Sequence, residues 1–96
     1  MGELTAPAHL APDVAAVWLD VVAAYGPGAE KITGPELEAY CGQVARVRDA
    51  QQRIAAEGLV IADPKGNPIP HPAISIERAA QVEVRAWGAK FRPPRR

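Results

Sequence analysis

The 96-residue sequence contains few of the residues on which catalytic and metal sites depend. It has one cysteine, Cys41, so no disulfide can form within the chain, which is typical of a reducing compartment. Its two histidines, His9 and His71, lie in proline-containing segments. We find no paired metal-ligand spacing and no nucleophile–base–acid set. We therefore expect a buried structural thiol, no cofactor, no metal and no enzymatic activity.

Long apolar runs are also missing. No stretch of eighteen apolar residues occurs, and the N-terminus lacks the basic and apolar regions of a signal peptide, so we expect no membrane association. The aromatic residues are few, and they must anchor a modest core. These are Trp18, Tyr25, Tyr40, Trp87 and Phe91.

The segment from Thr33 to Gly58 predicts one long helix. Thr33 is a suitable N-cap, and Glu36 three residues later completes a capping box. Gly58 is suited to the left-handed position after the helix. Between these residues one apolar face recurs at three- and four-residue steps. Its members are Leu37, Tyr40, Cys41, Val44, Val47, Gln51 and Ile54. At about 1.5 Å per residue such a helix is roughly 36 Å long, so we expect other subunits to cover its outer end.

Two further helices flank the long one. The first is predicted to begin near Pro12 and to end at Gly26, folding back antiparallel on the long helix with Trp18 packed between them. The last is predicted from Pro72 to about Trp87, closed by Gly88.

Residues 59–70 predict a small β hairpin. A β-prone run is followed by the turn-forming residues 63–67 and by an extended segment in which Pro68 and Pro70 prevent a long paired strand. The predicted fold is therefore mainly α, an antiparallel helical hairpin with a long central helix, a short β-prone turn and a third helix.

The predicted organisation is a mobile arm (residues 1–11), a single helical domain (12–88) and an extended basic tail (89–96) in which Phe91 is the candidate anchor. We expect six side chains to form the core. They are Trp18, Leu37, Tyr40, Val44, Ile54 and Trp87.

The charges are divided unequally along the chain. Residues 1–40 carry six acidic side chains against one lysine, and residues 41–96 carry ten basic against five acidic. Such asymmetry indicates either a polyanionic or acidic partner or a solvated tail. The candidate DNA-binding residues fall in the tail and on the long helix. They are Lys90, Arg92, Arg95 and Arg96, and then Arg46, Arg48 and Arg53.

The order of these features resembles the short phage terminase small subunits. An apolar helix with a central tryptophan comes first. The start of the long helix is then similar to a loose sequence pattern of the family, and it reads Ile32-Thr33-Gly34-Pro35-Glu36-Leu37-Glu38-Ala39-Tyr40-Cys41. That helix closes on Ile54-Ala55-Ala56-Glu57-Gly58. A glycine turn and His71-Pro72-Ala73 follow, like the family's Asn-Pro-Ala start to the last helix. The closing segment 89–96 differs, because it lacks the family's Gly-Leu-Thr stretch. The likeness covers roughly residues 10–92.

This resemblance implies a non-catalytic accessory of viral genome packaging. Such subunits form homo-oligomeric rings, bind double-stranded viral DNA at the packaging site and modulate the terminase large subunit, which holds the ATPase and nuclease. The resemblance also implies action in the cytoplasm of the host cell. Two alternatives remain open, a small helix-turn-helix regulator and a helical protein-interaction module that binds through its Trp87–Phe91 end.

Overall fold

The molecule is built around one long helix that contacts both of the others. The computed structural model describes residues 4–92, and its elements confirm the predicted mainly α fold. In chain order they are α1 (Pro12–Tyr25), a 3₁₀ turn (Ala29–Lys31), α2 (Pro35–Glu57), β1 (Val60–Ala62), β2 (Pro68–Pro70), α3 (Ala73–Gly88) and a second 3₁₀ turn (Ala89–Phe91).

The start of α2 differs from the predicted capping box. Gly34, not Thr33, is the N-cap residue, and no side chain caps the helix. The Thr33 hydroxyl instead donates to the carbonyl oxygen of Glu30, at 2.9 Å. Gly34 has a φ of 150°, which side-chain-bearing residues rarely adopt. The glycine therefore sets the direction in which the chain enters α2, and Thr33 stabilises the preceding turn.

Helix α3 lies antiparallel along α2. Near the start of α3, His71 reaches Glu57 at the end of α2, and beyond the end of α3, Lys90 reaches Glu36 in the first turn of α2. The connection between the two helices is the predicted small hairpin, whose strands pair antiparallel with Ile61 opposite Ile69. This hairpin reverses the chain and fixes the register of α3 on α2.

The hairpin turn is organised by Asp63. Its carboxylate accepts the backbone N–H groups of Asn67, at 2.8 Å, and Lys65, at 2.9 Å. The hydrogen bond from the Asn67 backbone, aided by that from Lys65, lowers the pKa of Asp63, because these bonds favour the charged form. The outer edge of β2 offers no N–H donor at Pro68 or Pro70, so this edge is protected from further strand pairing.

The main core lies where α1 crosses the first half of α2. Val17 and Trp18 of α1 pack with Leu37 and Cys41 of α2, which are completely buried. Tyr40 and Val44 are partly buried beside this cluster. Trp18 is 3% exposed, and its indole N–H has no hydrogen-bond partner among the described residues. The cluster is closed by Phe91, whose ring centroid lies 4.9 Å from that of Tyr40.

The second half of α2 is covered by small residues of α3. Ala50 of α2 and Ala73 and Ala80 of α3 are buried. Ile54 is partly buried near the end of α2. His71 is the buried polar residue here, and its Nδ1 accepts the N–H of Ala73 at 2.9 Å. The ring thereby satisfies a donor of the first turn of α3.

The C-terminal end of the fold departs from two predictions. Helix α3 ends at Gly88, but this glycine has a helical φ of −56° and not the left-handed conformation of a C-terminal cap, and the chain continues into the 3₁₀ turn Ala89–Phe91. The extended tail predicted from residue 89 is therefore wrong for residues 89–91. Burial of the Phe91 ring in the core is the physical reason that these residues remain folded. Residues 93–96 lie outside the described residues.

The described part of the predicted N-terminal arm lies against the fold. Ala6 and Leu10 pack on the main core, and the His9 Nε2 lies 2.6 Å from a carboxylate oxygen of Glu38. Residues 1–3 lie outside the described residues. The domain boundaries and the mobility of this arm stay predictions.

We expect Trp18→Ala to lower the free energy of unfolding by roughly 3–5 kcal/mol, because it removes the largest side chain of the main core. Trp18→Phe is the matched variant. It keeps most of the apolar volume and removes the unpartnered N–H, so it should cost much less. Urea unfolding followed by circular dichroism measures both. Equal stability of the alanine variant and the wild type would show that the indole does not hold α1 on α2.

Cys41 should be unreactive in the folded protein. Burial, followed by the negative charge of Glu38, raises the pKa of its thiol to about 11, so little thiolate exists at pH 8. We expect labelling by a disulfide reagent to be on the order of 10²-fold slower than for a free thiol, and to recover in urea. Equal native and denatured rates would contradict the buried placement.

Candidate functional site

Three of the predicted DNA-binding residues are engaged in ion pairs within the chain. Arg48 of α2 lies 3.6 Å from the Asp20 carboxylate of α1, and Arg53 lies 2.9 Å from Asp49 one turn earlier. Lys90 binds Glu36. All these side chains are exposed, so each pair contributes little to stability, but each cation has a carboxylate beside it. These three residues are not free positive charges in the isolated subunit.

Other predicted cations lie apart from one another. Arg46 lies beside Ile76 and Glu83 of α3. Arg92 lines a cleft between α1 and α3, and it forms no ion pair within residues 4–92. Arg95 and Arg96 lie outside the described residues. Among residues 4–92, the structure does not bring the predicted cations together on one surface.

One flank of α3 carries arginines that the sequence analysis assigned to no site. Arg78 and Arg85 are seven residues apart, so they lie on the same side of the helix. Arg92 lines the same cleft as Arg85. We call these three exposed residues the basic flank. None of them forms an ion pair with a described residue, although Glu77 lies beside Arg78. The recurring seven-residue spacing of arginine was the signal in the sequence that could have found it.

The opposite flank of α3 forms a groove with α2. At one end it is lined by Glu36 and Trp87, and at the other by Arg46 and Ile76, while Glu83 lines both ends. We call this the Trp87 groove. Its Trp87 end encloses about 170 Å³, less than the 300–1,000 Å³ of typical small-molecule sites.

The prediction that Trp87 belongs to the core is wrong. Its side chain is 44% exposed, because it lies on the flank of α3 that faces the groove and not under the main core. Lys90 lies 5.6 Å from the centroid of its ring and also binds the Glu36 carboxylate. A cation held between an indole face and a carboxylate is favoured by both partners. This end of the groove is thus occupied by a cation of the same subunit.

The thiol and the two histidines do not form a catalytic arrangement. Cys41 is buried with a raised pKa, whereas His9 contacts Glu38 at the surface and His71 accepts the N–H of Ala73 at the start of α3. Within residues 4–92, no group of three or more potential metal ligands is found. The described surface presents charged and apolar side chains.

Comparison with known proteins gives one match. The family model described as phage terminase, small subunit, matches residues 16–92. No curated protein and no solved structure matches the chain. No helix within residues 4–92 is both long enough and apolar enough to cross a membrane.

The matched region contains most of α1, both other helices, the hairpin and Phe91, so it spans the main core and both flanks of α3. A match over this much of the sequence shows the family. The chain belongs to the phage terminase small subunit family.

Proposed function

We propose that this chain is the non-catalytic small subunit of a phage DNA-packaging terminase. In this role it acts in the host cytoplasm as a homo-oligomer, binds double-stranded viral DNA at the packaging site and modulates the large ATPase and nuclease subunit. Family membership supports the packaging role. The basic flank is the observation that supports DNA contact, because its three arginines are exposed and unpaired among the described residues.

The spacing of the basic flank fits a backbone contact. Arg78 and Arg85 lie about 10 Å apart along α3, by the rise of an α-helix. Guanidinium groups bind phosphate oxygens well, and such contacts position a protein on DNA without reading sequence. Arg95 and Arg96 follow Arg92 in the sequence, and we propose that they extend the same contact.

The shape of the subunit supports self-association. Its radius of gyration is 16.4 Å, whereas a compact domain of this length has about 12.5 Å. Apolar side chains remain exposed on both the hairpin and α3. They include Leu59, Val60, Ile76, Val82 and Trp87. An elongated subunit with such surfaces gains stability from neighbours that cover them.

The wild-type protein should be a homo-oligomer without DNA. We expect light scattering at tens of micromolar to give a mass of at least two subunits in both low and moderate salt, because apolar contacts persist when charges are screened. A monomer under both conditions would contradict this proposal.

Replacing Arg78, Arg85 and Arg92 together by Gln should weaken binding to all duplex sequences alike. Each lost phosphate contact should reduce the slope of log affinity against log salt by about 0.9, so the triple variant should lose up to about 2.7. Binding titrations over about 50–200 mM salt measure the slope.

The matched control is Arg48→Gln with Arg53→Gln. Both arginines are exposed on α2 and already have carboxylate partners, so we expect the double variant to retain the wild-type salt slope. The reverse result, an unchanged triple variant and a weakened control, would move the DNA contact to α2. A further variant lacking Arg95 and Arg96 tests the predicted tail contact.

A further inference from the structure

The cleft between α1 and the end of α3 combines an apolar lining with two positive charges. The charged residues that line it are both arginines, Arg85 and Arg92, and both are exposed. Neither forms an ion pair with a described residue. The apolar part of the lining comes from α1, α3 and the turn after α3, and it consists of Val21, Ala24, Val84 and Phe91.

A glycine leaves this cleft open. Gly88 lies between the two arginines in the sequence and also lines the cleft. Outside the adjacent backbone of α3, a Cβ placed on Gly88 would meet one atom among the described residues, the Tyr40 hydroxyl oxygen at 3.6 Å. The helical φ of −56° at Gly88 tolerates any side chain. A larger residue here would therefore fill the cleft, which we call the Gly88 cleft.

The size and lining of the Gly88 cleft fit an apolar side chain better than a phosphate. The cleft encloses about 270 Å³. An apolar cavity of roughly 150 Å³ is large enough to bind benzene, so one aromatic or large aliphatic side chain has room here. A phosphate of DNA gains nothing from apolar walls, because moving an ionised group away from water is costly.

The two arginines define where the carboxylates of a ligand would lie. They are seven residues apart, which is roughly 10–13 Å along the chain by the rises of an α-helix and a 3₁₀ helix. In an extended segment, residues four apart are separated by about 13 Å. Acidic residues two positions before and two positions after a central apolar residue therefore match this spacing. A small molecule with a single carboxylate would meet one of the arginines only.

We propose that the Gly88 cleft binds an acidic segment of a partner protein. One large apolar side chain of the segment enters the cleft, and carboxylates on its two sides bind Arg85 and Arg92. Burial of the apolar side chain supplies affinity, and the guanidinium–carboxylate pairs fix the register of the segment, because these pairs are directional and often bidentate.

Such a segment competes with DNA, because Arg85 and Arg92 are two of the three residues of the basic flank. This competition rests on the proposed DNA contact. When the cleft is occupied, Arg78 alone remains for phosphate. A saturating segment should therefore lower the slope of log DNA affinity against log salt by up to about 1.8, for two contacts of about 0.9 each.

A synthetic peptide tests the cleft without DNA. The probe is a fluorescein-labelled nonapeptide with a central Phe, Glu two and three residues away on both sides, and Ser elsewhere. We expect saturable binding in fluorescence polarisation, weakened at least about tenfold when the Phe is replaced by Ser or every Glu by Gln. Equal binding of the Ser peptide would show that the surface takes charge alone. That result, or no saturable binding of the Phe peptide, overturns the proposal.

Filling the cleft separates it from the basic flank. Gly88→Leu keeps both arginines and occupies the space for the apolar side chain, and Ala24→Leu fills the same space from the exposed surface of α1. We expect each variant to weaken peptide binding at least about tenfold and to retain the wild-type affinity for duplex DNA. Circular dichroism establishes that each variant remains folded.

The arginine variants complete the test. Arg85→Gln with Arg92→Gln should weaken peptide binding at least about tenfold, whereas Arg48→Gln with Arg53→Gln, the matched control on α2, should leave it unchanged. Peptide binding that survives both the cleft-filling and the arginine variants overturns the cleft site alone. A protein that binds the peptide as expected, but whose DNA salt slope is unaffected when Arg78, Arg85 and Arg92 are replaced, overturns the DNA contact and the competition, and not the cleft.

Discussion

The structure depends on burying the apolar face of α2, whose 23 residues make it the longest helix among the described residues. Trp18 covers one half of that face together with Phe91, and the alanines of α3 cover the other. Helix α1 covers only the first half of α2, and α3 runs antiparallel along α2 on another side, so the chain needs both helices and a hairpin that holds α3 in register. The positions of the exposed charges follow from this arrangement.

Because α3 lies against α2 along one side only, its two flanks face solvent in different directions. One flank carries arginines with no ion-pair partner within residues 4–92, and the other forms a groove with a cation at one end and a carboxylate at the other. The basic flank and the Trp87 groove therefore lie on different sides of α3.

Local sequence signals predicted the helices and the hairpin, but they did not determine which side chains contact each other in the fold. Proline and glycine positions located the helix ends and the hairpin to within a residue or two, because their backbone restrictions act locally. The predicted capping box does not form, because Gly34 is the N-cap residue and the Thr33 hydroxyl donates to the backbone carbonyl of Glu30. Trp87 was assigned to the core on periodicity alone, which cannot distinguish a face under another helix from one beside it.

The sequence by itself determined the mainly α fold, the long central helix, the absence of an intrachain disulfide and the family resemblance, since each depends on local pattern and composition. Only the tertiary structure decided which charges are free. Arg48 finds a carboxylate on another helix and Lys90 finds one across the fold, whereas Arg78 and Arg85 find none among the described residues. Ion pairing between distant segments depends on how the helices cross. It cannot be inferred from the spacing of residues along one helix.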